Sequence, residues 1–349
     1  MFSTYDPADV TLLLKDITGL VEPQPASVRE RLIQSGVHYC EMLPLEYTPS
    51  DLYMKTYWRA LEQNRTLMAR TVAAVAEQIY RQKGPRVALV SLARAGTPIG
   101  ILIRRWLRLR RGVDVPHYSI SIIRGRGIDG NAMRYMLDRH MPSDLQFVDG
   151  WTGKGAIQRQ LDAAMADYPG VSPALAVLSD PAGLAGLRGT RDDFLIPSAC
   201  LNATVSGLLS RTFLRDDIIG PEDFHGAAFY SELMDRDLTY DFIRAVEACF
   251  PDEAVIEPPK PCDGGALREV EAIRRAFGIR DINLVKPSIG EATRVLLRRL
   301  PWKVLVRSLE DPEHLGHLYQ LAAEKGIPLE VYPLRHYRAC GLIRELADT

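Results

Sequence analysis

The chain has 349 residues, of which 46% are hydrophobic and 25% are charged, and its formal net charge is -1. This composition is typical of a soluble globular protein, and the length predicts two or more domains. A net charge so close to zero excludes an overall basic protein, so any surface that binds nucleic acid must be local.

Cysteine usage and hydropathy predict a cytoplasmic protein. The cysteines are scattered and form no CxxC pair, which argues against a disulfide framework or a zinc knuckle. The N-terminus MFSTYDPADV is polar and acidic, so it does not resemble a signal peptide. No apolar run approaches the ~20 residues that cross a bilayer, so no membrane partner is expected. The cysteines are Cys40, Cys200, Cys249, Cys262 and Cys340.

Residues 1–49 contain one chemically suggestive pair and lead into a long helix. His38 and Cys40 would share a face in a strand, and a Cys–His pair is one route to a thiolate nucleophile. The alternative is a cysteine and a histidine packed under a loop. Residues 51–82 have apolar side chains at helical spacing, a candidate cap at Asp51 and a Gly-Pro stop beyond their end, so they predict a long helix.

A first strand–turn–helix unit begins at residue 86. Residues 86–92 (RVALVSL) form a continuous apolar run that suits a parallel strand buried on both faces, and residues 99–111 predict a helix. The turn between them would point backbone N–H groups at one spot, which is how helix starts bind anions. The candidate ligand-binding residues of this turn are Arg94, Ala95, Gly96 and Thr97.

A loop rich in arginine and glycine follows the next predicted strand, residues 115–123. Arg124 and Arg126 alternate with glycines in this loop. Arginine forks match phosphate oxygens and glycines permit a hinge, so the loop is predicted to close over a polyanion. A merely flexible connection is the alternative.

The stretch around which the chain is organised is residues 146–157, QFVDGWTGKGAI. A short apolar strand ends at Asp149, a glycine turn follows, and residues 156–166 predict a helix. Glycines let the backbone close around an anion, while Thr152 and Lys154 add a hydroxyl and a charge. Asp149 would accept hydrogen bonds from sugar hydroxyls. The spacing is neither that of a Walker A loop nor that of a GxGxxG turn, and ordinary α/β sheets also need such glycines.

The order of the predicted elements gives the fold class. Strands that end in polar turns, with helices between them, predict an α/β fold with a doubly wound, mostly parallel sheet, whose ligands bind at the carboxyl ends of the strands. Residues 251–265 (PDEAVIEPPKPCDGG) are a linker by composition. The predicted domains are therefore residues 1–250 and residues 266–349.

The second domain is predicted to be a small α/β/α unit whose last helix covers residues 335–346. Between residues 290 and 307, basic residues outnumber the single acid Glu291, which is the pattern of a surface where nucleic acid docks. A solvated helix face is the alternative. The basic residues are Arg294, Arg298, Arg299, Lys303 and Arg307.

Two motifs of the first domain resemble known ones. SLARAGTPIG, at residues 91–100, resembles the pyrophosphate loop of type I phosphoribosyltransferases, and VDGWTGKG, at residues 148–155, resembles their loop for phosphoribosyl diphosphate. The order of these motifs, with the arginine loop between them, also resembles a phosphoribosyltransferase-like family found with tellurite and stress-response genes. Some members of that family carry the name cysteine protease StiP. The resemblance covers most of residues 1–250.

This resemblance implies an enzyme that binds phosphoribosyl diphosphate with Mg²⁺ and transfers the phosphoribosyl group to a base-like acceptor. Asp149 would hold the ribose hydroxyls and the metal, and Arg124 and Arg126 would close over the substrate. Gly150 stands where these enzymes usually carry a second acid, so the ribose and metal contacts depart from the family pattern. The residues implied for the 5′-phosphate are Thr152, Gly153, Lys154 and Gly155, and those for pyrophosphate are Arg94, Ala95, Gly96 and Thr97.

Two motifs of the second domain resemble the L7Ae/Pelota family of RNA-binding domains. SIGEATR, at residues 288–294, resembles the RNA-contacting turn and helix start, and RACGL, at residues 338–342, resembles the C-terminal segment beside it. The resemblance implies RNA as a partner, with Glu291 contacting base edges and Arg294 contacting phosphate. Gly290 stands where those RNA binders often place Asn.

Two further functions stay open from the sequence. A cysteine hydrolase would need a thiolate with a histidine in reach, and the candidates are Cys40 or Cys200 with His38 or His225. A non-catalytic protein would keep the phosphate-binding turns as a nucleotide sensor and bind RNA through its C-terminal domain. The acceptor pocket is expected from residues 1–49 and 201–223, and a homodimer is a further expected assembly.

Overall fold

The computed structural model describes residues 2–46, 48–258 and 261–344. Most of the strands belong to two sheets, one in each half of the chain. In chain order the strands are β1 (Thr11–Leu12), β2 (Lys15–Asp16), β3 (Ala88–Leu92), β4 (His117–Ile120), β5 (Ile122–Ile123), β6 (Gly127–Ile128), β7 (Leu145–Val148), β8 (Leu175–Ser179), β9 (Leu187–Thr190), β10 (Gly226–Ala227), β11 (Val285–Pro287), β12 (Pro301–Val306), β13 (Leu329–Val331) and β14 (Ala339–Ile343). The α-helices are α1 (Ala26–Gln34), α2 (Asp51–Lys83), α3 (Gly96–Arg111), α4 (Gly130–Leu137), α5 (Ala156–Ala164), α6 (Thr239–Glu247), α7 (Gly265–Ala276), α8 (Ile289–Arg298) and α9 (Pro312–Lys325).

The N-terminal half is built on a sheet of parallel strands in the order β1-β4-β3-β7-β8-β9. Strand β3 is buried along its whole length, as its continuous apolar run predicts. Leu89 belongs to the buried cluster that includes side chains of α2, α3 and α6, whereas Val90 belongs to the cluster that includes side chains of α4 and α5. Helices therefore cover both faces, which confirms the doubly wound α/β fold. The carboxyl ends of β3, β7 and β8 lie side by side at one edge.

Helix α2 confirms the long helix predicted over residues 51–82. Its cap is Ser50 rather than the predicted Asp51, because the Ser50 hydroxyl accepts a hydrogen bond from the Tyr53 N–H over 3.1 Å. Tyr53 and Tyr57 are fully buried, and the helix packs against α3, α6, β8 and β9. It also contacts α9, so it supports both halves of the chain.

The C-terminal half contains a mixed sheet in the order β11-β14-β12-β13, as expected for a small second α/β domain. The helix predicted over residues 335–346 is wrong, because residues 339–343 form β14, which runs antiparallel between β11 and β12. Every residue of this strand is buried. A short apolar run such as ACGLI does not distinguish a buried strand from a helix, and here the two neighbouring strands decide the outcome.

The two halves share one hydrophobic core. Ile289, Ala292 and Leu296 on α8 belong to the same buried cluster as Val148 of β7. Residues 251–258 and 261–264, which join the halves, form neither helix nor strand. In the part of the chain that the structure describes, no helix is long and apolar enough to span a membrane. The shared core places α8 against the carboxyl edge of the parallel sheet.

Candidate active site between the two domains

A cleft of about 630 Å³ lies between the carboxyl edge of the parallel sheet and the C-terminal domain. Both glycine turns open into it: Arg94 and Ala95 follow β3, while Asp149 and residues 152–154 follow β7. Neighbouring parallel strands bring their carboxyl ends together, so turns that are distant in the chain meet at one hollow. The structure thus brings together two of the residue sets that the sequence singled out.

The turn after β3 offers unbonded backbone donors. The N–H groups of Arg94 and Ala95 make no hydrogen bond within the described residues, and the start of α3 adds partial positive charge. The guanidinium of Arg94 is engaged elsewhere, because it donates to Glu46 Oε1 over 3.0 Å and to the Leu209 carbonyl over 2.6 Å. Anion binding at this turn would therefore use the main chain rather than the Arg94 side chain.

Gly96 and Thr97 support this turn from behind. A Cβ at Gly96 would lie 2.5 Å from the Val148 carbonyl oxygen, so only glycine lets α3 start this close to β7. The Thr97 hydroxyl is buried and lies 2.7 Å from the Ser119 hydroxyl of β4. Neither residue lines the cleft.

The turn after β7 has two unbonded amides rather than the four that the sequence assigned to a phosphate. The Thr152 N–H donates to the Ser179 carbonyl over 3.0 Å, and the Gly155 N–H donates to Thr152 Oγ1 over 3.3 Å. The N–H groups of Gly153 and Lys154 make no hydrogen bond to any described residue. Thr152 therefore shapes the turn, and the two middle amides remain for a ligand.

The Lys154 side chain ties this turn to the C-terminal domain. Its ammonium donates to the carbonyls of Ile282 and Val285, the second over 2.8 Å. Burial, helped by the positive charge of Lys286, lowers the pKa of Lys154 to about 7. The ammonium that the sequence assigned to a phosphate is thus engaged by two carbonyls in this structure.

Asp149 lies just after β7 and lines the cleft. Its Oδ1 accepts a hydrogen bond of 2.7 Å from the Gly150 N–H. Burial raises the pKa of Asp149 to about 6, and the charge of Arg294 acts in the opposite direction. At neutral pH the side chain is therefore mainly a carboxylate. This is the form that accepts hydrogen bonds from sugar hydroxyls or binds a divalent cation.

The predicted arginine lid is a short hairpin of β5 and β6. Arg124 lines the cleft, and its Nη1 donates to Asn283 Oδ1 of the C-terminal domain over 3.1 Å. Arg126 instead pairs with Glu41 over 2.7 Å and does not line the cleft. Of the two predicted lid arginines, Arg124 is the one placed to meet a ligand.

The predicted RNA-contacting turn packs against the glycine turn after β7. A Cβ at Gly290 would lie 2.5 Å from Cε2 of Trp151, and a Cβ at Gly153 would lie 2.6 Å from the Pro287 carbonyl oxygen. The Arg294 guanidinium covers the Trp151 ring at 4.1 Å from the ring centroid. This close approach of the two domains explains why glycine, rather than asparagine, stands at position 290.

The cleft is strongly cationic: ten lysines and arginines and four carboxylates of the described chain line it. Burial raises the pKa of Glu291, but the charges of Lys286 and Arg294 outweigh burial and leave this pKa below its ordinary value. Three arginines of the predicted basic face line the cleft, whereas Lys303 and Arg307 are bonded within the C-terminal domain. The lining cations are Arg29, Arg94, Arg124, Lys154, Arg211, Arg280, Lys286, Arg294, Arg298 and Arg299.

Arg29, Arg211 and Arg298 are among the lining arginines that form no ion pair with a carboxylate in the described chain. Arg29 is 3% exposed, and its Nε has no hydrogen-bond partner among the described residues. Arg211 lies over the Tyr39 ring at 4.4 Å, and Arg298 donates to Asn202 Oδ1. The sequence marked Arg298 as part of a basic face, but it missed Arg29 and Arg211 because neither belongs to a motif.

The two cysteine–histidine pairs have different outcomes. His38 Nδ1 lies 2.9 Å from Cys40 Sγ, so this pair is in contact. Cys40 is fully buried, and burial raises its pKa to about 11, so the thiol is protonated at neutral pH. Burial raises the pKa of Cys200 to about 12, and the ring of His225 bonds the hydroxyl of Ser121 instead of this thiol.

A second hollow, of about 780 Å³, is lined by acidic side chains. Asp129, Asp138, Asp216 and Asp223 face it together with Arg134, and the residues of both glycine turns are absent from its lining. Carboxylates repel phosphate groups, so the interdomain cleft is the better candidate for a phosphorylated ligand.

The described residues contain no cluster of three or more histidine, cysteine or acidic side chains that could hold a metal ion. Mg²⁺, however, is commonly bound by one or two carboxylates together with ligand phosphates and water. Asp149 supplies one carboxylate at the cleft. The residues present therefore fit a Mg²⁺ ion that arrives with a polyphosphate ligand.

Both halves of the chain match known families. The family model described as "Tellurite-like stress resistance cysteine protease StiP" matches residues 3–247, and the one described as "PELOTA RNA binding domain" matches residues 265–345. "Cysteine protease StiP" of Acinetobacter baylyi (strain ATCC 33305 / BD413 / ADP1) is 34% identical over 366 aligned positions, which cover 98% of this chain and 94% of that protein. A crystal structure of a hypoxanthine-guanine phosphoribosyltransferase from Bacillus anthracis covers 37% of this chain and 80% of its own, with 17% identity and a TM-score of 0.28, a likeness too weak for argument.

Proposed function

The chain belongs to the StiP family, and we propose that it transfers a phosphoribosyl group from phosphoribosyl diphosphate to a base-like acceptor in the interdomain cleft, as part of a stress response. The supporting observation is that both glycine turns open into one cationic cleft. Each turn offers two amides that make no hydrogen bond to a described residue, which suits a ligand with a phosphate at either end. Gly153 and Lys154 would bind the 5′-phosphate, and Arg94 and Ala95 would bind the diphosphate.

The reaction needs charge at both ends of the substrate. A lone pair of the acceptor attacks C1′ of the ribose while the bond from C1′ to the diphosphate oxygen breaks, and the electron pair of that bond leaves with pyrophosphate. Positive charge develops on the sugar and negative charge on the leaving group, and an acceptor proton is released to solvent. Asp149 would hold the ribose hydroxyls, and the cations beside Arg94 would stabilise the departing pyrophosphate. Mg²⁺ bound through Asp149 and the diphosphate would supply further positive charge there.

Isothermal titration of the full-length protein with phosphoribosyl diphosphate and Mg²⁺ tests the binding step. Asp149→Asn should weaken this binding, whereas Asp138→Asn, at an exposed position lining the acidic hollow, is the matched control and should bind like the wild type. If the titration gives no heat of binding at millimolar ligand, the proposal is wrong. Release of pyrophosphate with candidate bases separates an enzyme from the alternative, a non-catalytic nucleotide sensor.

RNA binding by the C-terminal domain is part of the same proposal and is supported by the PELOTA family match. Glu291 and Arg294, the implied RNA contacts, line the cleft rather than an open face. A single-stranded end is therefore the expected RNA ligand, because a duplex would have to displace the Trp151 turn that packs on Gly290. Fluorescence anisotropy with matched single-stranded and duplex RNA tests this preference, and equal affinities would contradict it.

A cysteine hydrolase is the second candidate, favoured by the name of the Acinetobacter relative and by the contact of 2.9 Å between His38 and Cys40. Such an enzyme needs a thiolate that a substrate can reach. The Cys40 thiol is buried and protonated, so this activity would require a rearrangement that exposes it. A peptidase activity that is present in the wild type and lost in Cys40→Ser, but not in Cys249→Ser, would favour the hydrolase.

A further inference from the structure

We propose that Arg29, Arg211 and Arg298 form a clamp for a diphosphate group, and that the C-terminal domain completes this clamp by supplying Arg298. The inference deepens the proposed function, on which it rests, because it assigns the diphosphate end of the cleft ligand to side chains that no motif marks. The chemistry recognised is that of a diphosphate, carried either by phosphoribosyl diphosphate or by a nucleoside diphosphate.

The clamp draws on three separate parts of the chain. Arg29 lies on α1, Arg211 lies in the segment before β10, and Arg298 is the last residue of α8. All three line the cleft into which Arg94 and Ala95 open. Cations that converge on one hollow from three segments and both domains are not the solvated face of a single helix, and they form a concave site for an anion.

The clamp arginines form no ion pair with a carboxylate of the described chain, whereas two neighbouring arginines do. Arg94 forms an ion pair with Glu46 over 3.0 Å, and Arg299 forms one with Glu30 over 2.7 Å. Arg29, by contrast, is almost fully buried, and its Nε has no partner in the part of the chain that the structure describes. Burying a charge without a counter-charge costs free energy, so the clamp is incomplete until an anion binds.

The clamp charges also act on one another. Burial and then the charge of Arg29 lower the pKa of Arg211 to about 9. Burial, followed by the charges of Arg94 and other arginines, lowers the pKa of Arg298 well below its ordinary value. A ligand with several negative charges would relieve this repulsion, and guanidinium groups bind phosphate oxygens through paired hydrogen bonds.

The surroundings of Arg94 place the clamp at the diphosphate end of the cleft. Arg94, in the turn after β3, is among the charges that lower the pKa of both Arg211 and Arg298 after burial. The Arg94 guanidinium also donates to the Leu209 carbonyl over 2.6 Å, two residues before Arg211 in the chain. The clamp therefore lies beside the turn that the sequence assigned to pyrophosphate.

Isothermal titration of the full-length protein with sodium pyrophosphate and Mg²⁺ tests the clamp, with ribose 5-phosphate as the monophosphate comparison. Arg29→Gln and Arg298→Gln should each weaken pyrophosphate binding at least tenfold, because each removes a charged donor to phosphate. Their affinity for ribose 5-phosphate should change less than twofold. Arg108→Gln, at an exposed position on α3, is the matched control and should bind both ligands like the wild type.

Thermal midpoints separate binding from folding in these variants. Arg29→Gln removes a buried charge and Arg298→Gln a half-buried one, and neither charge has a carboxylate partner in the described chain, so the unliganded variants should melt at or above the wild-type temperature. They should also lose the rise in midpoint that pyrophosphate causes in the wild type. Parallel titrations with ADP and with phosphoribosyl diphosphate identify the natural diphosphate, and clamp-dependent binding of either supports the proposal.

Two results would overturn the clamp: pyrophosphate binding that survives unchanged in both variants, or no pyrophosphate binding by the wild type at millimolar concentration. The proposed function can fail separately. Clamp-dependent binding of pyrophosphate, together with no binding of phosphoribosyl diphosphate, would remove the transferase and leave the diphosphate clamp in place.

Discussion

The contact between Gly290 and Trp151 gives a sharp test of how the two domains meet. In Gly290→Ala, the new Cβ would lie 2.5 Å from Trp151 Cε2 and 2.8 Å from Cζ2 and Nε1. The ring has little room to yield, because Trp151 is 9% exposed and the Arg294 guanidinium covers it at 4.1 Å. Overpacking of this kind costs about 1–3 kcal/mol of folding free energy.

Gly316 on α9 offers the same substitution without the contact. A Cβ there meets nothing closer than the Pro312 Cβ at 4.0 Å. Alanine is more favourable than glycine inside a helix by about 0.5–1 kcal/mol, so Gly316→Ala should raise the free energy of unfolding. Because Gly290 also lies in a helix, the difference between the two variants, about 1–3 kcal/mol, measures mainly the interdomain contact.

Urea unfolding followed by circular dichroism gives both free energies. Gly290→Ala should unfold at lower urea concentration than Gly316→Ala, and adding Trp151→Ala to both should remove most of the difference. If Gly290→Ala stabilises the protein as much as Gly316→Ala does, the domains do not meet at this contact. The explanation given for glycine at position 290 would then be wrong.

Three further changes probe the surroundings of the cleft. Tyr337→Phe should lower the free energy of unfolding by about 1–3 kcal/mol in urea, because the Gly153 carbonyl loses a buried hydrogen bond of 2.8 Å; an unchanged midpoint would contradict that bond. Burial raises the pKa of Asp193 from its ordinary value of 3.8 to about 6. The protonated carboxyl is therefore favoured in the folded state, and its contribution to stability is complete below about pH 4. As the pH rises through 6, the free energy of unfolding should fall by about 3 kcal/mol. Asp193→Asn should therefore flatten the pH dependence of urea midpoints in this range, and an unaltered slope would refute the assignment. Iodoacetamide at neutral pH should modify the exposed Cys262 long before Cys40, whose pKa burial raises to about 11, and comparable rates by peptide mass spectrometry would restore Cys40 as a thiolate candidate.

The architecture of the N-terminal half was predictable because its signals are local. The apolar run of residues 86–92 is long enough to indicate a strand buried on both faces, and it becomes the centre of the parallel sheet. The helical spacing of residues 51–82 likewise specifies α2. Residues 339–343 were predicted wrongly as part of a helix, because so short an apolar run does not by itself indicate a strand. Its pairing with β11 and β12 makes it one.

The site was only partly predictable, since much of it arises from tertiary structure. The glycine turns around Ala95 and Gly153 follow from strand ends and helix starts, which the sequence shows directly. Arg29 and Arg211 carry no local signal, because their role depends on three segments converging on one hollow. The sequence also could not predict that the Lys154 ammonium donates to two carbonyls, since those carbonyls belong to the other domain.

Because one buried cluster includes residues of both halves, the two halves are expected to fold and unfold together. A cut within residues 251–264 would expose Ile289, Ala292 and Leu296 to solvent on one fragment. It would also expose the apolar side chains that pack with them on the other fragment. Neither fragment would then keep a closed interior, and each would tend to aggregate when made alone. Heating or denaturant should accordingly melt the intact chain in a single cooperative step, although its sequence matches two separate families.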